Sequence, residues 1–452
     1  MDFSVEGRDV VVVGAARSGI AAAELLVRRG AQVTLSELRE SFEAADRLRT
    51  LGVRLELGGH EPSTFARANL VVASPGVPLE QPVFDVARAR GVEIVGELEL
   101  AWRWLKGRVI AVTGTKGKST TTTLIGRMLD ADGRAVLVGG NIGVPLSAQV
   151  DESTPESVHV VETSSFQLET TTSFHPWIAV WLNLAADHLD RHPSVDAYAA
   201  AKARIFANQE PDDWAVVNAD DAAVVHHAGA AKSRVVAYSL SGTIAEGFVV
   251  SRDWIVRRTT TGDERLFPVS AVELTGRHML NNVLAATAAA HVAGVPSAAM
   301  AQALRGFHGL PHVMEPAGRV NGVRFVNDSK ATNVEAARAS IESFERGVVA
   351  IIGGRFKGGD LRDLRAPLAT HGRGVIAIGE AAPLVRAALA DLLPVIDAAS
   401  MRDAVEKGFD AAAPDGVVLL VPACASFDWF RDYAERGQAF KDEVARLEKI
   451  RE

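Results

Sequence analysis

Short apolar runs alternate with helix-like segments along most of the chain. An alternation of strands and helices is typical of a parallel sheet that is covered by helices on both faces. In the first part of the chain, the runs predict strands at 10–13, 33–36, 70–73 and 93–95, with helices near 20–29 and 83–90.

The same alternation continues in two further blocks. The second block predicts strands at 109–112, 135–138, 158–162, 178–183 and 215–218, with helices near 119–129 and 279–293. The third predicts strands at 323–327, 348–352, 374–378 and 417–421, then an amphipathic helix over 427–449. The turn residues of 306–311 are typical of a linker. We therefore expect an α/β protein whose three domains cover residues 1–96, 97–309 and 310–452.

The composition excludes several classes of protein. The chain has 452 residues and a net charge of −8, so it offers no broad basic surface and we expect no nucleic-acid partner. It starts without a cleavable apolar segment, and no apolar run approaches the ~20 residues that cross a bilayer, so we expect no membrane insertion. Cys424 is the only cysteine; we interpret it as a packed thiol in a reducing compartment. These features predict a cytoplasmic protein, and nothing in them requires more than a monomer.

The segment VTGTKGKST at 112–120 carries the clearest chemical signal. It joins a predicted strand to a predicted helix, where glycines let backbone N–H groups face a phosphate and the helix N-terminus adds positive charge. Lys118 can then reach the terminal phosphates, while the Ser119 hydroxyl can bind Mg²⁺. Val112 stands where the usual spacing has a glycine, so this is a variant phosphate loop. We predict nucleotide binding by a P-loop ATPase-like domain; the alternative is a glycine-rich turn without a ligand.

A second glycine-containing turn follows the first predicted strand, at 14–19. It resembles a dinucleotide-binding turn, but Ala16 stands at the middle glycine. Glu37 ends the second predicted strand, where Rossmann-like folds often place an acid against a ribose. The altered turn favours a ligand that carries a diphosphate but is not NAD, and it disfavours a dehydrogenase.

Two polar segments follow strands of the second block. Glu162 is expected at the carboxyl end of a strand beside the phosphate loop, where a carboxylate can hold Mg²⁺; alternatively, it caps the next helix. His188 and His192 are four residues apart, but without a nearby cysteine or an HExxH pattern we do not expect zinc. We favour a magnesium-linked role for His188 over a plain loop histidine, and we interpret His192 as a solvated loop residue.

Lys202 lies in an alanine-rich helical run, so we expect it to be partly buried, although a lysine there is more often a solvated helix charge. A bare ammonium group beside Mg²⁺ would be repelled. An uncharged lysine can react with CO₂ to give an anionic carbamate, which would remove that conflict.

Polar residues also follow three predicted strands of the third block. The densest cluster is NDSKATN at 327–333, whose aspartate and lysine suit ribose and phosphate contacts, although a turn and helix cap at Asn333 would explain part of it. Lys357 and Ser426 follow two other strands. We expect the three strand ends to converge on one cleft that suits a small anionic substrate.

Together these motifs resemble those of the Mur ligases, the ATP-dependent amide-forming enzymes of peptidoglycan synthesis. The resemblance covers essentially the whole chain. SSFQLE, NDSKATN and PACAS favour the member that adds D-glutamate over those that add L-alanine, a diamino acid or a dipeptide. The motifs are SPG at 74–76, TGTKGKST at 113–120, GGNIG at 139–143, ETSSFQLE at 162–169, DHLDRH at 187–192, AAK at 200–202, NDSKATN at 327–333, PACASFDWF at 422–430 and RGQAF at 436–440.

The resemblance implies a role for each domain. The first, Rossmann-like domain would bind the UDP of UDP-N-acetylmuramoyl-L-alanine through Ser18, Glu37, Arg39 and Gly76, while Asn141 of the central domain would contact substrate or the reaction centre. The central domain would bind ATP through Gly114, Thr115, Lys116, Gly117, Lys118, Ser119 and Thr120. Asn282 and Asp328 would contact the adenine and the ribose. The third, Rossmann-like domain would bind D-glutamate through Lys330, Thr332, Lys357, Ser426 and Tyr433.

The resemblance also implies the chemistry. Mg²⁺ would be held by Ser119, Glu162, His188 and a carbamylated Lys202, and Lys118, His188 and Lys202 would be catalytic. ATP would convert the substrate carboxylate into an acyl phosphate, and the D-glutamate amine would displace phosphate. The rival interpretations are a folate polyglutamate synthase, a protein in which ATP drives closure without ligation, and a dehydrogenase.

Three positions depart from the family pattern. Lys116 replaces the commoner asparagine of the phosphate loop, Met279 replaces an asparagine before the adenine contact, and Val313 stands where an arginine often follows His312. Our hypothesis is that Lys116 restores the positive charge that is lost at Val313.

This hypothesis predicts that Lys116→Asn weakens ATP binding and that adding Val313→Arg recovers it. The Kd for ATP of the wild type, the two single variants and the double variant measures the coupling between the two positions. A double variant that binds ATP no better than Lys116→Asn would disprove the compensation.

Overall fold

The computed structural model describes residues 3–188, 191–274 and 276–451. This part of the chain forms two compact units. The first unit contains residues 3–184, 191–271 and 283–304, and the second contains residues 185–188, 272–274, 276–282 and 305–451. Two mainly parallel sheets lie in the first unit and a third lies in the second, which confirms the predicted α/β class. In the described ranges, no helix is both long enough and apolar enough to cross a membrane.

The first sheet is parallel, with the strand order β3-β2-β1-β4-β5. Alternate residues of β1 belong to two different hydrophobic clusters, so helices cover both faces as predicted. The edge strand β3 was not predicted, because its residues are charged or only half-buried. The strands are β1 Asp9–Val13, β2 Gln32–Glu37, β3 Arg54–Leu57, β4 Leu70–Ala73 and β5 Glu93–Gly96; the helices are α1 Arg17–Arg28, α2 Ala45–Thr50, α3 Pro62–Arg67, α4 Pro82–Ala89 and α5 Glu97–Trp102.

The second sheet has the order β14-β13-β12-β11-β10-β9-β6-β8-β7. Its neighbouring strands pair parallel except at one edge, where β13 pairs antiparallel with both β12 and β14. The strands are β6 Arg108–Thr113, β7 Val136–Gly140, β8 Val158–Glu162, β9 Ile178–Trp181, β10 Trp214–Asn218, β11 Arg234–Ser239, β12 Gly247–Ser251, β13 Trp254–Thr259 and β14 Gly262–Pro268. The helices are α6 Lys118–Ala131, α7 Leu146–Gln149, α8 Ser165–Glu169, α9 Val195–Ala203 and α10 Ala222–Ala228, followed by α11 Arg277–Val292 and α12 Ser297–Leu304.

The third sheet has the order β15-β16-β20-β17-β18-β19, and only β15 pairs antiparallel. Every residue of β17 is buried, and successive residues belong to the clusters on opposite faces. The strands are β15 Glu315–Val320, β16 Val323–Asn327, β17 Val348–Gly353, β18 Gly372–Ile378, β19 Val395–Asp397 and β20 Val417–Leu420; the helices are α13 Val334–Ile341, α14 Arg365–His371, α15 Ala382–Leu389, α16 Met401–Ala412 and α17 Tyr433–Arg451.

The last helix begins later than predicted. We expected it over 427–449, but α17 starts at Tyr433. Asp428 accepts a hydrogen bond from the Glu380 backbone N–H at 3.0 Å. This bond holds the segment before α17 against the loop after β18, outside the helix. Asp432 then accepts from the Glu435 N–H at 2.8 Å, a bond typical of a helix N-cap.

Glu99 of α5 links the end of the first sheet to the segment before β9. Its side chain is fully buried and accepts hydrogen bonds from the backbone N–H groups of Thr172, Ser173 and Phe174. Burial alone would raise the pKa of Glu99, but the hydrogen bonds from Ser173 and Thr172 outweigh it and lower the pKa. A buried carboxylate therefore stabilises this junction in its ionised form.

We predict that Glu99→Gln destabilises the first unit by roughly 2–3 kcal/mol near neutral pH, since buried N–H donors lose a charged acceptor. The folded-state pKa of Glu99 is lowered, so its stabilisation is present above the ordinary value of 4.5 and is lost as pH falls through the folded-state pKa. Urea unfolding of both proteins, at neutral and at acidic pH, measures the difference.

Arg103 pairs with both Glu99 and the exposed Glu93, so Glu93 provides the control. Glu93→Gln should change the free energy of unfolding by no more than about 1 kcal/mol, as for surface ion pairs generally. Equal effects of the two substitutions, or a Glu99→Gln effect that persists in acid, would contradict the assignment.

Candidate active site

The carboxyl ends of β1, β2 and β4 surround a cavity of about 410 Å³. The chain leaves β1 toward β2 on one side and later returns to β4 on the other, which makes this end of β1 a topological switch point. Ligands of open α/β sheets bind in such crevices. All five residues predicted to contact the UDP-bearing substrate line the cavity: Ser18, Glu37, Arg39, Gly76 and Asn141.

Glu37 orders the turn at the wall of this cavity. Its Oε2 atom accepts hydrogen bonds from the Ala15 backbone N–H at 2.6 Å and from Arg39 Nη2 at 3.1 Å. Burial alone would raise the pKa of Glu37, but the hydrogen bonds from Arg39 and Ala15 outweigh it and lower the pKa to about 2. The carboxylate is therefore ionised near neutral pH, and it fixes both the turn and the Arg39 side chain.

Close packing explains the last glycine of this turn. A Cβ atom on Gly19 would lie 1.9 Å from the Gly14 carbonyl oxygen and 2.6 Å from Ser74 Oγ, so no side chain fits. Ser74 Oγ in turn donates to the Gly14 carbonyl at 3.0 Å. His60, which the sequence interpretation missed, also lines the cavity, and its Nδ1 atom lies 2.7 Å from Ser36 Oγ. It follows β3, the strand that was not predicted.

The phosphate loop has the predicted strand–loop–helix form. β6 ends at Thr113 and α6 begins at Lys118, so Ser119 and Thr120 complete the first residues of the helix. Gly117 caps the helix with a left-handed φ of 78°, a conformation that glycine adopts without strain. Lys118 Nζ folds back and donates to the carbonyl oxygens of Gly114 at 2.9 Å and Thr115 at 3.1 Å.

Asn183 holds the phosphate loop from the neighbouring strand end. Its side chain accepts from the Lys116 N–H at 2.8 Å and donates to the Lys116 carbonyl at 3.1 Å. Its own carbonyl accepts from the Thr115 N–H at 3.1 Å. β9 ends at Trp181 rather than at residue 183 as predicted. The sequence interpretation gave Asn183 no role; the available signal was an asparagine directly after an apolar run.

Lys202 is fully buried on α9, as its alanine-rich surroundings predicted. Its Nζ atom donates to the Gly114 carbonyl at 2.9 Å, which is the oxygen that Lys118 also uses. The ammonium group lies 4.5 Å from the centroid of the Tyr198 ring. Tyr198 OH is 3.3 Å from Thr115 Oγ1, so α9 contacts the phosphate loop through two side chains.

Glu162 lies at the carboxyl end of β8, in register with Val112 at the start of the phosphate loop. It does not cap α8, because Ser164 and Gln167 form a capping box there. Asn141 Nδ2 donates to Glu162 Oε1 at 2.8 Å. The other oxygen, Oε2, is buried without a hydrogen bond to any described residue, so this carboxylate has a free position that suits a hard cation.

The two histidines of DHLDRH differ in environment. His188 belongs to the second unit, has a left-handed φ of 55° and is exposed at its side chain. We interpreted His192 as solvated, and this was wrong. Its ring is buried, stacks on Phe166 with centroids 5.3 Å apart, and bonds to Ser165 Oγ at 2.9 Å. Leu189 and Asp190 of this motif lie outside the described residues.

The two residues predicted to contact adenosine lie in the second unit. Asn282 is buried, and its Nδ2 atom donates to Met279 Sδ at 3.7 Å. Met279 belongs to the hydrophobic core of the third sheet, which gives this departure from the family pattern a packing role. Asp328 accepts hydrogen bonds from the Met314 N–H at 3.2 Å and from Ser340 Oγ.

The three polar strand ends of the third block do converge, because β16, β20 and β17 are neighbours in the sheet. Lys357 Nζ donates to Thr332 Oγ1 at 3.4 Å, which joins the loops after β17 and β16. Lys330 Nζ lies 5.9 Å from the ring centroid of Tyr433. Ser426 is buried in the loop after β20. The structure thus places these predicted amino-acid contacts on the loops at one edge of the third sheet and at the start of α17.

Two further residues have the structural roles that the sequence indicated. Asn333 caps α13 by accepting from the Ala336 N–H at 2.8 Å. Cys424 is fully buried, and burial raises the pKa of its thiol to about 12. A thiol with such a pKa is protonated near neutral pH, so Cys424 is a packing residue.

Comparison with known families covers all three blocks. The N-terminal domain of the MurD-like Mur ligases matches residues 8–96, the Mur ligase middle domain matches residues 112–290, and the Mur ligase glutamate ligase domain matches residues 314–424.

Individual relatives match the chain over nearly its full length. A UDP-N-acetylmuramoylalanine–D-glutamate ligase of Acidobacterium capsulatum is 46% identical, over 98% of this chain and 97% of the relative. One of the same name from Geobacter metallireducens is 43% identical, over 98% and 99%. Among solved structures, UDP-N-acetylmuramate-alanine ligase MurC of Thermotoga maritima has a TM-score of 0.60 at 20% identity, covering 98% of this chain and 100% of that one, which supports the fold. The chain belongs to the Mur ligase family.

Proposed function

We propose that this protein joins D-glutamate to UDP-N-acetylmuramoyl-L-alanine with hydrolysis of ATP to ADP and phosphate, a step in the synthesis of peptidoglycan precursors. Relatives that carry this activity in their name are 41–46% identical over nearly the whole chain. The geometric observation that carries the proposal is the meeting of Lys118 and Lys202 at the Gly114 carbonyl, with Glu162 in register beside the same loop.

The reaction needs an activated carboxylate. A carboxylate is a poor acyl donor, because an attacking amine would have to expel oxide. Transfer of the γ-phosphoryl group of ATP to the alanyl carboxylate gives an acyl phosphate, whose phosphate is a good leaving group. The amine of D-glutamate attacks the carbonyl carbon, a tetrahedral intermediate forms, and the C–O bond to phosphate breaks as the amide forms. The neutral amine gives up one proton in this step, and the proton leaves with the phosphate as HPO4²⁻.

Lys118 stabilises the phosphoryl group during its transfer. Lys118 is the first residue of α6, and the backbone N–H groups of a helix N-terminus also favour an anion. Its Nζ atom donates to two carbonyl oxygens of its own loop, which orients the side chain, and in this proposal the same group reaches the phosphate oxygens of ATP. Preorganised donors of this kind act on the charge that develops in the transition state.

The site also fits Mg²⁺. Glu162 offers a buried carboxylate oxygen without a hydrogen bond to a described residue, and Ser119 offers a hydroxyl at the second position of α6. His188 and Lys202, as its carbamate, complete the proposed ligand set. The ion would neutralise phosphate charge when bound. Carbamylation would turn Lys202 from a second ammonium group at Gly114 into an anion, which removes the repulsion between Lys202 and the metal.

The three blocks divide the substrates among them in this proposal. Residues 1–96, with Asn141, bind the UDP-bearing substrate in the cavity at the end of β1. Residues 97–309 bind most of ATP, and residues 310–452 bind D-glutamate and contribute Asp328 to the ribose. Lys330 and Lys357 supply positive charge for the two carboxylates of D-glutamate. The enzyme works as a monomer in the cytoplasm.

ADP release measures the proposed activity directly. We expect ADP to form in proportion to D-glutamate incorporated, and only when UDP-N-acetylmuramoyl-L-alanine, D-glutamate, ATP and Mg²⁺ are all present. Incorporation of glutamate onto a folate instead would indicate a folate polyglutamate synthase. ATP binding without ADP release under the complete conditions would indicate a nucleotide-gated binding protein, and either result would overturn the proposal.

We predict that Lys118→Ala lowers kcat by roughly 10²–10³-fold or more, as when other preorganised transition-state donors are removed. Steady-state ADP release at saturating substrates measures the loss. The exposed Lys106, just before β6, provides a matched control, and Lys106→Ala should keep wild-type turnover. Near-normal turnover of Lys118→Ala would remove this lysine from the mechanism.

A further inference from the structure

Arg436 is a cation buried in the second unit. It lies on α17 and is 1% exposed. Within the described residues, its guanidinium forms no ion pair with a carboxylate, and Asp428 acts on its pKa through charge alone, without a hydrogen bond. Burial lowers the pKa of Arg436 to about 10, which still leaves it protonated near neutral pH. A buried charge of this kind needs a compensating role, because desolvation is costly.

The guanidinium binds two of the three converging loops. Its Nε atom donates to Ser329 Oγ at 2.9 Å and Nη2 donates to the Ser329 carbonyl at 2.9 Å, in the loop after β16. Nη1 donates to the Cys424 carbonyl at 3.1 Å, in the loop after β20. Ser329 Oγ in turn donates to the Tyr433 carbonyl at 2.8 Å, which connects the loop after β16 to the start of α17.

The third loop packs against the same group. A Cβ atom on Gly354, after β17, would lie 3.2 Å from Arg436 Nη1 and 2.2 Å from the Ala425 carbonyl. Gly354 has a φ of 126°, which side-chain-bearing residues rarely adopt. The glycine therefore allows this loop to approach both the guanidinium and the loop after β20.

We infer that Arg436 is the positioning residue of the amino-acid site: it fixes the three loops that present Lys330, Lys357 and Ser426, and it adds positive potential behind them. The inference rests on the proposed function, since these loops are assigned to D-glutamate there. All its bonds go to neutral oxygens, so its charge remains available to attract a dianionic amino acid.

Asp328, the proposed contact to the ribose of ATP, is held in place by hydrogen bonds that do not involve Arg436. Asp328 is held by the Met314 N–H and by Ser340 Oγ, and neither bond involves Arg436. Loss of the guanidinium should therefore affect the binding of D-glutamate much more than that of ATP.

Arg436→Ala tests the inference because it should change the KM for D-glutamate and the KM for ATP to different extents. We expect the KM for D-glutamate to rise at least about tenfold, as for the loss of charged hydrogen bonds, while the KM for ATP stays within about twofold. Arg436→Lys keeps the charge but cannot span both loops, and it should give an intermediate KM. Ethylguanidinium, which fits the space left in Arg436→Ala, should lower the KM for D-glutamate again.

Hydroxylamine separates this inference from the proposed function. It replaces the amine, so an acyl phosphate is trapped as a hydroxamate without D-glutamate. The wild type should form hydroxamate and ADP, and Arg436→Ala should do so at a similar rate. No hydroxamate with the wild type would overturn the proposed function itself.

Arg373 provides a control near the opposite end of the third sheet, because its Nη1 atom also binds two main-chain carbonyls, of Ala412 and Ala413, while its Nη2 atom pairs with Asp415. Arg373→Ala should leave the KM for D-glutamate unchanged. An unchanged KM in Arg436→Ala, or a parallel loss of hydroxamate formation and ATP affinity, would reduce Arg436 to a purely structural role and overturn the inference.

Discussion

One carbonyl oxygen, that of Gly114, accepts hydrogen bonds from two lysine side chains. Lys118 reaches it from the first turn of α6 and Lys202 reaches it from α9, so this contact joins two helices through the loop between them. It depends on the sheet beneath, because β6 lies between β8 and β9 and their carboxyl ends meet at one edge. Glu162 ends β8 and Asn183 follows β9, and both therefore reach the same loop.

Most of the strands that were predicted from sequence share one physical property, although the predicted β5 and β7 are edge strands. Strands buried on both faces, such as Val348–Gly353, must be apolar at every position, and a continuous apolar run is visible without knowing the fold. The strands that were missed lie toward sheet edges, and most of them expose part of their length. Arg54–Leu57 has no fully buried residue, and Gly262–Pro268 exposes its first four positions. These strands form because they pair with a neighbouring strand, and the local sequence pattern does not reveal that pairing.

The same division applies to the site. Lys118, Glu162 and Glu37 stand directly beside a glycine turn or at a strand end, so their place followed from local sequence. Asn183 is separated from its partner Lys116 by 67 residues, and Arg436 from Ser329 by 107, so neither contact has a local signal. His192 was misjudged for this reason: polar neighbours suggested solvent, whereas Phe166 and Tyr198 enclose its ring.

Two cations, Lys118 and Arg436, differ from the surface arginines in their acceptors. Exposed arginines such as Arg355 and Arg362 pair with carboxylates, which cancels their charge. Lys118 and Arg436 donate to main-chain carbonyls and a hydroxyl instead. A neutral oxygen orients the donor without neutralising it, so its positive potential remains available to an anionic ligand. A carboxylate in its place would compete with such a ligand for the same donor. The buried carboxylates divide in the same way, since Glu37 and Glu99 accept hydrogen bonds from backbone N–H groups, whereas Glu162 keeps one oxygen without a hydrogen bond to a described residue and so suits a cation.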